Sequence, residues 1–106
     1  MIFATSDDIP GTTITATHGL VYGNSVRARN IGRDIVAALR NIVGGEVPEY
    51  AQLMARSRQE ALDRMTARAE EMGANAVTGL RFTTSMVMSG AAELLAYGTA
   101  VTVEEE

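Results

Sequence analysis

The chain has 106 residues, a formal net charge of −4 and no cysteine, which gives it the size of a single domain and excludes disulfides, thiolate metal ligands and thiol nucleophiles together. Hydrophobic residues make up 46 % and charged residues 21 %, the balance of an ordinary folded domain rather than a disordered or membrane chain. The acid excess, closing in Glu104-Glu105-Glu106, argues against a nucleic-acid surface, because displacing phosphate counterions needs a basic stripe.

The start, Met1-Ile2-Phe3-Ala4-Thr5-Ser6, has neither the basic n-region nor the apolar run of a secretory signal, and no run reaches the ~20 apolar residues that cross a bilayer. A cytoplasmic protein is expected. All nine positive charges are arginine, which a coding bias explains without a functional choice of guanidinium over ammonium.

Met1 to Thr5 reads as a short strand, stopped by the turn Asp7-Asp8-Ile9-Pro10-Gly11. From Thr12 to Tyr22 the residues alternate, with Ile14, Ala16, His18, Leu20 and Tyr22 on one side and Thr13, Thr15, Thr17, Gly19 and Val21 on the other. Gly19 and Gly23 mark a bulge or a bend, where the missing side chain lets the backbone turn or another chain approach, which leaves the face of His18 open.

Past Ser25 the period changes, and Ile31, Ile35, Ala38, Leu39 and Ile42 form one apolar stripe with Asn30 as its N-cap. Gly44-Gly45 ends this first helix. The second runs from about Pro48 to Met72, with Tyr50, Met54, Ala61, Met65, Ala69 and Met72 on one side and Leu53 and Leu62 widening the stripe. On its opposite side, Arg56, Glu60 and Arg64 lie one turn apart as a solvated charged face.

Gly73 caps that helix. Ala76 to Met86 then resumes a strand pattern, with Leu80, Phe82 and Thr84 on one face and Arg81 on the other, and a turn around Ser89-Gly90-Ala91-Ala92 leads into a last strand from Leu94 to Val103. The order β-β-α-α-β-β predicts an α+β fold with a mostly antiparallel sheet and two helices on one face. A domain this small protects its sheet edges most simply with further copies of itself, so a ring oligomer is expected.

His18 is the only histidine, and a metal held at about 2.0 to 2.3 Å by three or four ligands cannot be built from it within one subunit. A symmetric ring would gather copies of it, but a lone strand histidine is usually structural. Met54, Met65 and Met72 fall at helical period and read as core; Met86 and Met88 near the last hairpin read the same way, although thioethers are soft ligands. Asn30, Arg33 and Asp34 at the start of the first helix are the polar cluster best suited to a small anionic ligand, against the plainer reading of a cap and ion pairs. Gly44-Gly45 is not a phosphate loop, since no Lys-Ser or Lys-Thr follows. No serine or threonine has a motif pairing it with His18, and Glu70-Glu71 and the terminal glutamates sit where solvation is expected.

Asn30-x-x-Arg33-Asp34, Arg40-Asn41-Ile42-Val43-Gly44-Gly45, Tyr50, the alanine-rich helix and Met72-Gly73-Ala74-Asn75-Ala76-Val77-Thr78-Gly79-Leu80, in this order and spacing, resemble the YbjQ-like family over nearly the whole chain. These small bacterial and archaeal proteins carry a heavy-metal-binding label and belong among the dodecin-like α+β folds. The resemblance implies a homo-oligomer, either a pentameric ring or a decamer of two such rings, and no known reaction. The metal implied by the label finds no support in the content of cysteine, which is absent, or of histidine, which occurs once. The expected function is that of a non-enzymatic oligomer with a small ligand or metal ion between subunits. The alternatives are a hydrolase or isomerase using an inter-subunit site around Asn30, Arg33 and Asp34, and a pure scaffold.

Overall fold

The computed structural model describes residues 1–27, 48–88 and 91–106. Four strands, β1 (Ile2–Phe3), β2 (Thr12–Arg27), β3 (Ala76–Met88) and β4 (Ala91–Glu105), form one sheet in the order β1-β3-β4-β2, with one described helix, α1 (Pro48–Glu71), against it. The α+β class stands. The first expected helix, from Asn30 to Gly44, lies outside the described residues.

The sheet is mixed. β2 and β3 flank β4 antiparallel, while β1 runs parallel to β3, with Ile2 opposite Ala76 and Phe3 opposite Val77. Three strands extend past their expected ends. β2 continues to Arg27 because Gly23 does not bend it, β3 reaches Met88, and β4 begins at Ala91, inside the expected turn.

Strict alternation fails in β2. Its register against β4 shifts between Ile14 and Ala16 and again between Thr17 and Gly19, where Gly19 has φ +108°, a value that favours glycine. Each shift reverses which side chains meet the core. His18 therefore lies beside the end of α1, whereas Leu20 and Tyr22 lie on the far face of the sheet.

The core between α1 and the sheet is built from small residues. Ala61, Met65 and Ala69 are fully buried on the helix and meet Val21, Val77, Leu80, Ala96 and Ala100. Leu62 and Met72 pack at its margin, as their helical period predicts. Gly23 lies directly beneath the helix backbone. A second, smaller cluster of Ala76, Val101 and Val103, flanked by Ile9 and Ile14, occupies one end of the opposite face. Further along that face Leu20, Tyr22 and Val26 are exposed, Leu20 to 69 %.

Gly73, at φ +90°, ends α1 and lets the Ala74 N–H donate to the Ala69 carbonyl at 3.0 Å. Asn75 then acts as an additional rung of the sheet. Its Nδ2 donates to the Val103 carbonyl at 2.9 Å and its Oδ1 accepts from the Val103 N–H at 2.8 Å, so one side chain satisfies both backbone groups of a strand residue.

Candidate functional site

His18 takes part in a chain of hydrogen bonds at the end of α1. Its Nε2 lies 2.8 Å from Thr102 Oγ1, and the same hydroxyl donates to the Gly73 carbonyl at 3.1 Å. A hydroxyl has one proton to give, so Thr102 accepts from His18, and the ring carries hydrogen on Nε2. This short chain of bonds ties β2, β4 and the end of α1 together. Asn30, Arg33 and Asp34 lie outside the described residues, so the structure neither gathers nor separates them. Among the described residues no three His, Cys, Asp or Glu side chains converge as metal ligands.

An open cavity of about 400 Å³ lies beside the turn before β2, lined by Asp8, Ile9, Thr12, Thr13, Ile14 and Glu106. Its polar groups are largely spent on local bonds. Thr12 Oγ1 donates to the Ile9 carbonyl at 2.7 Å, and Thr13 Oγ1 lies 3.4 Å from Glu106 Oε1. Both acids are exposed and face water.

The feature missed in the sequence lies on the helix. Arg64 Nη1 donates to the Asn24 carbonyl at 2.6 Å, and Arg68 Nη1 donates to the Tyr22 carbonyl at 2.9 Å. The Arg68 guanidinium also sits over the Tyr22 ring, 4.8 Å from its centroid. Arg64 pairs with Glu60 at 2.6 Å, as the spacing predicts, but it is more than a solvated charge. Together the two arginines reach around the margin of the sheet and satisfy carbonyls that β2, an edge strand, would otherwise offer to water. The i,i+4 spacing of Arg64 and Arg68 was the available signal; their strand partners, some 40 residues away, were not.

Ser25, 1 % exposed under the helix, has no hydrogen-bond partner for its hydroxyl among the described residues. A buried, unbonded hydroxyl costs roughly 1–3 kcal/mol. Ser25→Ala is therefore expected to leave stability unchanged or raise it by about 1 kcal/mol in urea unfolding. A loss of that size instead would show that the hydroxyl is bonded in solution.

Among the described residues, a four-stranded mixed sheet with one long helix across β2 and β4 places the chain among small α+β proteins. No described helix is long and apolar enough to cross a membrane. The chain belongs to the YbjQ-like family: the family model, described as "Putative heavy-metal-binding", matches residues 1–104. Among its relatives are UPF0145 proteins of Methanosarcina acetivorans, 52 % identical with 97 % of each chain covered, and of Thermococcus kodakarensis, 55 % identical over all of this chain and 94 % of that one. A crystal structure from Pediococcus pentosaceus, of a protein with unknown function in the DUF74 family, superposes with a TM-score of 0.64 over 98 % of both chains at 17 % identity. At that identity the likeness concerns the fold.

Proposed function

We propose that the protein is a non-enzymatic, self-assembling cytoplasmic subunit, forming a closed ring of the dodecin-like kind, pentameric or decameric, with its binding site for a small ligand or metal ion between copies. The observation that carries this reading is unfinished surface. The subunit exposes 6815 Å², against about 5,700 Å² for a compact monomer of its mass. Its radius of gyration is 17.0 Å, where about 13 Å is usual for a 100-residue domain. The surplus, on the order of 1,000 Å², is comparable to the ~800 Å² that one partner contributes to a standard protein interface. Exposed Leu20, Tyr22 and Val26 on the far face give that surplus an apolar part.

The family description supports the metal half of the reading only through ligands gathered from several copies, since among the described residues no three His, Cys, Asp or Glu side chains converge within one subunit. Light scattering at micromolar concentration is expected to give a mass several times 11.3 kDa, and a strict monomer overturns the assembly. Divalent zinc, nickel or copper bound between copies is expected to raise the melting temperature as its concentration rises. An unchanged transition with all three removes the metal and leaves the scaffold.

A further inference from the structure

The exposed edges of the sheet are not equivalent. On β2 the carbonyls of Tyr22 and Asn24 point away from β4, because Arg68 and Arg64 reach them from outside. Their neighbours across the ladder, Tyr97 and Leu95, therefore turn their own backbone groups toward β3, where they face Arg81 and Thr83. Backbone groups alternate along a strand, so the N–H and C=O of Phe82 and Thr84 point outward. The parity agrees with Leu80, whose N–H donates outward to the Ala4 carbonyl at 3.0 Å.

Beyond Leu80 the N-terminal segment departs. Its last backbone bond to this strand runs from the Gly79 N–H to the Ser6 carbonyl, and Arg81 Nη1 holds the Thr5 carbonyl at 2.8 Å. No backbone partner for Phe82 or Thr84 remains among the described residues on that side. The stretch from Arg81 to Ser85 is also exposed on both faces. Past Arg81 it is an uncharged run, Phe82-Thr83-Thr84-Ser85, rich in aromatic and β-branched residues, the kind of edge that accepts another strand. The β2 edge is different, because two of its outward carbonyls already bond to arginines of the same chain.

We propose that the outer edge of β3 at Phe82 and Thr84 is where a second copy of this chain adds a strand, while Arg64 and Arg68 close the β2 edge at Tyr22 and Asn24 against the same addition. The occupant is a second copy because the surface surplus of the subunit matches what one partner buries in a stable complex. This proposal rests on the assembly reading above and adds its joint.

Amide hydrogen exchange on the assembled protein tests it, with light scattering of the same sample as the reference. The Phe82 and Thr84 amides are expected to exchange at least ~100-fold more slowly than an unstructured chain, as those of Arg81 and Thr83 do, whereas the outward Tyr22 and Asn24 amides exchange quickly. In a sample of multiple mass, fast exchange at Phe82 and Thr84, or protection at Tyr22 and Asn24 in their place, overturns the joint and leaves the assembly intact. A monomer overturns both. A mass equal to one chain plus a bound peptide would show an extended peptide on the edge and overturn the second copy. Thr84→Pro gives a further check: proline is tolerated where an edge N–H faces solvent, so the circular dichroism of the variant should match the parent while its mass falls. An unchanged mass overturns the joint.

Discussion

Gly23→Ala is expected to destabilise the protein by about 3 kcal/mol or more, in the upper range for overpacking. A Cβ at this position would collide with the Ala61 carbonyl oxygen and the Met65 amide nitrogen and come within 2.9 Å of the Arg64 carbonyl carbon. All three are helix backbone, so no side chain can swing aside. Relief requires α1 to lift from β2, and lifting it opens voids around Met65, Ala61 and Ala69, which are fully buried. It would also draw Arg64 and Arg68 away from the strand carbonyls. Thermal unfolding is expected to fall by on the order of 15 °C, at roughly 4–8 °C per kcal/mol for a domain of this size. A shift under about 3 °C would mean that the helix does not sit on Gly23 in solution.

Gly98→Ala is expected to cost less, about 2 kcal/mol, and to be partly repairable. The new Cβ would lie 2.6 Å from Val77 Cγ1 and 2.9 Å from the Thr78 carbonyl oxygen. The first contact is a side-chain methyl and the second is backbone. Val77→Ala removes the methyl at its own cost, so in urea unfolding the double variant should be less destabilised than the sum of the singles. A strictly additive pair would place the clash on Thr78 alone. Gly98 is glycine because β3 bulges there: its register against β4 shifts between Thr78 and Arg81, and Gly79 at φ +61° brings Leu80 in over the β4 backbone.

These two glycines show what sequence patterning reveals and where it stops. Alternation marks β2 and β4 as strands, and a 3.6-residue stripe marks α1 from Pro48, because both signals are local. Gly19 realises the anticipated bulge, whereas Gly23 neither bulges nor bends the strand and instead makes room for the helix backbone of the same chain. Which glycine does which depends on where the helix lands. The parallel seat of β1 on β3 joins segments some 70 residues apart, so no local period announces it. Asn75, one letter of the Met72-to-Leu80 motif, serves as a rung bonded to Val103, a role that no local pattern announces. For the site, the sequence pointed to His18, which the fold commits to Thr102, and to Asn30, Arg33 and Asp34, which lie outside the described residues. Arg64 and Arg68 look like helix-surface charges because their strand partners exist only after folding.

Arg64 also qualifies the explanation of the basic residues by coding bias. One guanidinium nitrogen holds Glu60 and another holds the Asn24 carbonyl, a two-pronged grip that the single ammonium of lysine cannot reproduce from one point. Lysine there would keep the net charge and release one prong. At this position the geometry favours guanidinium over ammonium, whatever set the arginine content of the rest of the chain.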